Sequence, residues 1–476
     1  MARRRKLKKS VVQKLRLVVC AFFLVLSCIL YNNVYKMNIV PSKYLKTILL
    51  ALIFINLTAT FLFLMKGKIT KFIGFILYAV LLFICVIGIR YSSITIRFLN
   101  KAFKLKGEVV VYDVITLKDA KYDSLLSLKG KKVGYLTLDT NDYMSNITNV
   151  VKFDKEAEDL TTLYEKLKDN RIDAAVLSHS YIGLLEEQYP DFADTIKSIH
   201  TFDITIINEQ TTEEVKELKP ITIYITGLDS RSGRIESTGL SDVNMLVTIN
   251  PKTRTVLLTG IPRDYYVQLH GTTGLKDKLT HSGAYGVNMS KTTVEDVFDL
   301  KIDYTVKVGF NSVVNIVDLL GGIEIYSDTG FNSFHYKGWY VKKGNNYMDG
   351  KKALAYARER YAYVDGDEHR VRNQQQVFEA IFNKLVSNKS ILYKYDTLLD
   401  ELSDLYSTDI PKSYVTLLIK QQINDMKSWT VISQSVSGTI SREQCYSMPG
   451  NRLVVMIPDM NSVKTAKSKI EEVLNQ

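Results

Sequence analysis

Cysteine and histidine are scarce in this 476-residue chain, which has four Cys and six His. Cys20, Cys28 and Cys85 lie inside apolar runs, where a thiol is a small apolar filler. Cys445 is left alone outside them, which excludes an intrachain disulfide from the rest of the chain. No zinc-ligand spacing occurs, and the histidines are scattered. Acidic residues are missing from one region altogether. Residues 1–107 hold nineteen Lys and Arg and no Asp or Glu. With a whole-chain net charge of +12, the remaining 369 residues therefore carry −7. The basic balance does not describe the bulk of the protein, and a nucleic-acid-binding surface there is excluded.

What fills the basic region is apolar. Runs at 17–31, 47–65 and 72–89 each approach the ~20 residues that cross a bilayer as a helix. They predict membrane spans at about 17–35, 47–65 and 72–89. A signal peptide is the rival reading of the first run, given its Arg3-Arg4-Arg5-Lys6 head. No small-residue cleavage site follows, and two more spans come directly after. The basic N-terminal tail places that end inside the cell, so three spans put everything after Ile89 outside. The stretch 90–107 reads as a basic amphipathic connector resting on anionic headgroups.

The predicted organisation is a tail with three spans (1–106), an accessory α/β domain (107–215), a main α/β domain (216–388) and a C-terminal extension packing on it (389–476). In the accessory part, strands at 109–114, 132–136 and 172–177 alternate with helical stretches at 124–130 and 159–168. That order predicts a small parallel-sheet unit, with a texture like one lobe of a solute-binding protein. No converging polar set stands out, so it reads as a spacer. A polar linker ends at Pro220.

The main domain opens with a strand at 221–226 that runs into Gly227-Leu228-Asp229. A second strand is announced by Ser241-Asp242. A third, at 255–259, ends at Ile261-Pro262-Arg263-Asp264. Asp229, Asp242 and Arg263 thus stand near strand ends, where ligands of α/β sheets gather. Taken singly they are a turn aspartate, a strand cap and half of a local ion pair with Asp264. Lys278-Leu279-Thr280-His281-Ser282 follows in a loop. Lys278 is a secondary phosphate contact in this reading, and His281 is structural. A helix at 349–360, capped by Asp349, delivers Arg358 and Arg360. An acidic loop leads to a helix opened by Arg370, in which Arg370 and Gln374 share a face at i, i+4. Val377, Phe378, Ile381 and Leu385 mark its core side. Arg370 and Arg372 at a helix N-terminus oppose its dipole at a cost of about 0.3–1 kcal/mol, a sign that a bound phosphate would reverse. Guanidinium forks match phosphate oxygens, and spare carboxylates beside them suit a hard cation. The set Asp229, Asp242, Arg263, Arg358, Arg360, Arg370, Arg372 and Gln374 therefore points to a diphosphate held with a metal. The extension reads as helices at 411–423 and 464–473 with strands at 431 and 453–457, without chemistry of its own.

In order, Gly227-Leu228-Asp229-Ser230-Arg231, Ser241-Asp242-Val243-Asn244-Met245-Leu246, Ile261-Pro262-Arg263-Asp264, Lys278-Leu279-Thr280-His281, Arg358-Glu359-Arg360 and Arg370-Val371-Arg372-Asn373-Gln374-Gln375 resemble the LytR–CpsA–Psr family over about residues 221–387. The three spans and the accessory segment resemble its capsule-associated CpsA branch. The resemblance implies a central sheet flanked by helices, with an apolar pocket for a polyprenyl tail. It implies a membrane-anchored enzyme on the outer face of a Gram-positive cell. Such an enzyme moves a glycopolymer, here capsular polysaccharide, from an undecaprenyl-pyrophosphate carrier to peptidoglycan through a phosphodiester bond. Asp229 and Asp242 would hold Mg²⁺ or Mn²⁺. Arg263, Arg358, Arg360, Arg370, Arg372, Gln374 and Lys278 would contact pyrophosphate, and capsule-assembly membrane proteins would be partners. Asp264 is a guess for the base, an ion-pair role being the stronger reading. Many relatives have arginine before the Ser-Asp pair, and this chain has Leu240. Three rival functions are a transcriptional regulator, opposed by the short cytoplasmic tails and the lack of a helix-turn-helix pattern, a lipid-binding scaffold without turnover, and a simple pyrophosphatase acting on lipid pyrophosphates without any acceptor.

Overall fold

The computed structural model describes residues 2–103, 108–136, 153–157, 159–206, 214–228, 238–387, 399, 401–403 and 405–476. Three helices come first: α1 (Ala2–Met37), α2 (Ser42–Leu64) and α3 (Lys68–Ala102). Each carries a segment long and apolar enough to cross a membrane. Their outer faces expose Phe54, Leu57, Phe61, Phe72 and Phe83, which suits hydrocarbon and not water. Inside, Phe23 stacks on Tyr78 at 4.3 Å, and Asn56 donates to Ser27 Oγ at 2.9 Å. Such polar contacts hold helices together where lipid offers no hydrophobic drive. The stretch from Arg90 onward is no separate connector, because α3 continues to Ala102. No glycine or proline falls between Arg90 and Ala102, and Leu99 and Ala102 are buried.

The accessory segment forms β1 (Glu108–Leu117), β2 (Val133–Leu136), β3 (Phe153–Ala157), α4 (Leu160–Lys168), β4 (Ala174–Ser178), α5 (His179–Gln188) and β5 (Ile196–Ile206). Asp159 caps α4, accepting from Thr162 N at 2.8 Å. The sheet order is β3-β2-β4-β1-β5. Strand β2 runs parallel to β3 and β4, but β1 is antiparallel to both β4 and β5. The sheet is mixed, not parallel as expected. The expectation missed β5, whose polar alternation hides its long pairing with β1.

The main domain comprises β6 (Ile221–Leu228), β7 (Ser241–Asn250), β8 (Thr255–Ile261), α6 (Val287–Phe298), β9 (Tyr304–Gly309), α7 (Phe310–Leu319), β10 (Ile323–Ser327), β11 (Gly344–Met348), α8 (Gly350–Arg358), α9 (Asp367–Ser387), β12 (Tyr406–Thr408), α10 (Lys412–Asp425), β13 (Thr430–Ser435), β14 (Gly438–Cys445), β15 (Met448–Pro458) and α11 (Met460–Asn475). Six of the strands make the central sheet, in the order β12-β9-β6-β7-β8-β13. Side chains alternate across it. Tyr224, Leu246 and Leu257 meet Val294 and Phe298 of α6 and Ile470 and Val473 of α11 on one face. Ile223, Met245, Val247 and Leu258 meet Tyr414 of α10 and Phe378 and Phe382 of α9 on the other. Each fully buried aliphatic side chain contributes roughly 1.5–3 kcal/mol, so both faces need their helices. Both edge strands, β12 and β13, and the helix α11 come from residues after 388; a cut there would open the sheet at both edges.

The globular part sits against one end of the helix bundle. Lys412 Nζ donates to Asn100 Oδ1 at 2.7 Å, and Lys420 Nζ to Asn38 Oδ1 at 2.9 Å. The α1–α2 connection and the end of α3 therefore share the domain's side.

A candidate diphosphate site at the sheet end

Register brings the site together. In the antiparallel β6–β7–β8 ladder Leu228 faces Ser241 and Asn244 faces Ile261. Asp242, at the start of β7, and Arg263, just past β8, therefore stand at one end of the sheet. Strand β9 runs parallel to β6, so Phe310, the first residue of α7, arrives at the same end. Asp349 caps α8, accepting from Lys352 N at 2.9 Å, and the helix ends on Arg358. Helix α9 comes close over Gly260, where any Cβ would run into Val371. That approach places Arg370 and Gln374 above the strand end.

Asp242, Arg263, Arg358, Arg360, Arg370 and Gln374 border one cavity of about 180 Å³. Its other wall is apolar, with Val243, Phe310, Val313, Leu354 and Ala357. Arg358 lies over the Phe310 ring at 4.7 Å and Arg360 over Tyr361 at 4.8 Å, cation–π contacts that keep two forks at the rim. Arg263 Nη1 donates to Asp242 Oδ1 at 2.7 Å. Gln374 Nε2 donates to the Asp242 carbonyl at 3.4 Å. Burial pushes the Asp242 carboxyl up, but Arg263, Arg370 and Arg358 more than reverse this and hold it below the usual range. Burial pulls the Arg263 guanidinium down, and Asp242, Asp264 and Glu187 carry it well above its ordinary value. For Arg370 burial wins over Asp367, and the group is lowered. Arg263 Nε and Arg370 Nε are buried with no acceptor among the described residues. Buried donors without acceptors are rare in folded proteins, and here they surround a cavity rich in positive charge.

Not every expected residue is in the cavity. Arg372 is 47% exposed and pairs with Asp365 and His369. Helix α9 begins at Asp367, three residues before Arg370, with Asp367 and Glu368 in its first turn. Those acids offset the dipole, and Asp367 pairs with Arg370. The dipole argument for a bound anion therefore fails, and convergence in space replaces it. Lys278 lies behind the cavity, between Glu187 at 3.2 Å and Asp264 at 3.3 Å. Asp264 stands as its ion-pair partner and lies 3.8 Å from Arg263 Nε. Asp229 is outside the described residues.

One group behind Arg263 was not foreseen, and it meets His281, the histidine read as structural. Glu187, at the end of α5, lies 4.0 Å from Arg263 Nη2 and 2.9 Å from His281 Nε2. His281, fully buried, bonds Asp277 through Nδ1 at 2.6 Å. Burial disfavours the imidazolium, but Asp277 and Glu187 raise the His281 pKa to about 9. Burial alone would lift Glu187, yet His281, Lys278 and Arg263 hold it far below the carboxylate range. Asp277, His281 and Cys445 stand close enough together to hold a metal ion. His281 uses both ring nitrogens on carboxylates, Nδ1 on Asp277 and Nε2 on Glu187, so Asp277, His281 and Glu187 form an ion-paired clamp. His281 carried a signal as part of Lys278-Leu279-Thr280-His281. Glu187 carried none, since it ends a helix in the segment read as a spacer. Leu240, just before the Ser-Asp pair, packs against the accessory core. A Cβ placed on Gly183 of α5 would lie 3.3 Å from Leu240 Cδ1. The leucine thus seats the accessory helix.

For a divalent cation the donor set fits in part. Asp242 commits Oδ1 to Arg263 and Thr280, and Oδ2 has no protein partner among the described residues. One ionised oxygen beside a cavity is a hard ligand of the kind Mg²⁺ takes.

An α/β domain that follows three membrane-length helices thus closes four guanidinium forks around one half-apolar cavity. The chain belongs to the LytR–CpsA–Psr family, whose model (LytR_cpsA_psr family) matches residues 186–469. It is similar to the protein of Bacillus licheniformis named polyisoprenyl-teichoic acid–peptidoglycan teichoic acid transferase TagU. The two are 35% identical over 219 residues, 46% of this chain and 69% of the relative. The TagU of Bacillus subtilis is 37% identical over 200 residues, 42% of this chain and 63% of that protein. Among solved structures, Bacillus subtilis TagV aligns with 28% identity and a TM-score of 0.45, covering 54% of this chain and 98% of TagV.

Proposed function

We propose that this chain transfers a glycopolymer from a polyprenyl-pyrophosphate carrier to peptidoglycan on the outer side of the membrane. The observation that carries this reading is the convergence of Asp242, Arg263, Arg358, Arg360, Arg370 and Gln374 on one cavity with an apolar opposite wall. The forks bind the pyrophosphate, and the apolar wall takes the first isoprene units. The cavity is below the ~300–1,000 Å³ of ordinary ligand pockets, so a longer tail requires the walls to part.

In the reaction a peptidoglycan hydroxyl oxygen bonds to the sugar-proximal phosphorus. The bond from that phosphorus to the bridging oxygen breaks, and polyprenyl phosphate leaves with the electron pair and takes up the hydroxyl proton. Charge spreads over the phosphoryl oxygens, and fixed guanidinium groups neutralise it without reorganising. Arg263 is the central group, because Asp242, Asp264 and Glu187 fix its plane. Mg²⁺, held by Asp242 with Asp229, would supply further neutralisation of the pyrophosphate.

The tail of basic residues favours a cytoplasmic N-terminus, and three spans then carry the site outside. The three spans and the 108–206 segment, which resemble the capsule-associated branch, favour capsular polysaccharide as the polymer. The named relatives move teichoic acid, and competition between the two lipid-linked polymers decides between them. The test of the function uses the full chain in detergent with a polyprenyl-pyrophosphate glycopolymer and uncrosslinked peptidoglycan. Wild-type protein should join the two covalently in a divalent-dependent way. Transfer by Arg263→Ala equal to wild type would overturn the reading.

A further inference from the structure

A second cavity, of about 290 Å³, opens beside the first and shares Asp242, Arg263 and Arg358 with it. Its remaining walls differ in chemistry. The accessory helix α5 supplies Ser180, Gly183, Glu186 and Glu187, and the approach to β7 supplies Thr238 and Leu240. The accessory segment is therefore part of the site and not a spacer. Helix α5 is locked there by Glu187, which meets Lys278, His281 and Arg263 across the junction, and by Ser180 Oγ, which donates to the Ala284 carbonyl at 3.2 Å.

We infer that this cleft between α5 and the start of β7 is the acceptor subsite, built for a neutral, hydroxyl-rich glycan strand. The inference rests on the transferase reading above. Three features carry it. The cleft adjoins the diphosphate cavity through the residues that would flank the reacting phosphorus, so a group seated in it reaches that phosphorus without crossing the arginine rim. Among the described residues its own walls bring two glutamates and, beyond the shared arginines, only His179, which is already paired with Asp113 at 2.5 Å; that balance disfavours a second pyrophosphate or another anionic polymer. Carboxylates and hydroxyls along a polar cleft match sugar hydroxyls, whereas an acyl or prenyl chain would strip them of water and offer no hydrogen bond in return. Gly183 keeps the floor open: its Cβ would already press on Leu240, and a longer side chain there enters the cleft.

The test separates acceptor from donor. Full-length protein in detergent is given a polyprenyl-pyrophosphate disaccharide as donor, and uncrosslinked peptidoglycan strands as acceptor. Covalent transfer and acceptor-independent release of polyprenyl phosphate are both followed. Gly183→Leu should lose transfer to the strands while keeping the donor KM and the slow release of polyprenyl phosphate. Glu186→Ala, which removes a wall group without filling the cleft, should raise the acceptor KM about tenfold, the size of one lost charge-assisted hydrogen bond, with the donor KM unchanged. Thermal unfolding of each variant controls for folding. The inference is overturned if Gly183→Leu folds and transfers normally, if Glu186→Ala leaves the acceptor KM unchanged, or if either variant alters donor and acceptor KM alike. Failure of the transferase reading looks different: wild-type protein itself would release polyprenyl phosphate with no product on the strands.

Discussion

Glu187 and His281 are 2.9 Å apart across the junction of the accessory and main domains. The pair lies one contact behind Arg263, and it joins a helix at residues 179–188 to the loop that follows β8. His281 is an imidazolium bonded on both sides, to Glu187 and to Asp277. The two domains are thus tied together by the same charges that orient the central arginine.

Breaking that clamp should cost more than a surface ion pair. His281→Ala leaves the buried Asp277 without its counter-charge, while Glu187 keeps Lys278 and Arg263; removing one partner of a buried pair typically costs about 3–5 kcal/mol. Chemical denaturation of the full chain in detergent should show a loss of that order, with transfer activity reduced because Arg263 loses its backing. An unchanged midpoint would refute the clamp.

The same group gives a pH signature. The folded pKa of His281 is raised to about 9 from an ordinary value near 6.5. Its stabilisation is therefore fully present below about pH 6.5, declines as pH rises toward 9, and is gone above that. Asp277, Glu187 and Lys278 stay charged across this window, being held low, low and high respectively. Thermal stability measured from pH 6 to 10 should fall through this range in wild type and be flatter in His281→Gln.

The arginines should not be equivalent. Arg263→Ala removes the fork nearest the reacting phosphorus, and loss of one such preorganised donor costs about 10²–10³ in rate. Arg263→Lys keeps the charge without the planar fork and should recover little. Steady-state transfer kinetics distinguish the two.

Arg370→Ala and Arg372→Ala make a matched pair two residues apart. Arg370 is 7% exposed and borders the cavity, so its loss should weaken donor binding at least tenfold, the equivalent of about 1.4 kcal/mol. Arg372 is 47% exposed, and exposed ion pairs contribute about 0–1 kcal/mol. Its variant should bind and transfer like wild type. Equal losses in the two variants would contradict the placement.

Truncation after residue 388 removes β12, β13, α10 and α11, hence both edges of the central sheet and a covering helix on each face. The shortened chain should fail to fold, seen as loss of a cooperative thermal transition.

Much of this protein was legible in its amino-acid order. Apolar runs bracketed by basic residues gave three spans, since bilayer thickness fixes helix length. Period-two patterns gave β6, β7 and β8, and Asp349 marked the start of α8. The placement of Asp242 and Arg263 near strand ends held, because a strand's end follows from where its alternation stops. Local signals failed where partners are distant. Strand β5 looks polar until β1 pairs with it. The three residues before Arg370 read as an acidic loop until α9 begins with them.

What the sequence determined by itself was chemistry and periodicity: which residues are forks, which are acids, and which stretches must be buried. Which forks share a cavity was decided only by tertiary structure. Arg370 and Arg372 are indistinguishable in order, yet one faces the sheet end and the other solvent, because Val371 packs over Gly260 and fixes the rotation of α9. Glu187 reached Arg263 through the docking of α5, a contact between residues 76 positions apart. No local pattern encodes such a distance, since it arises from packing two cores against each other.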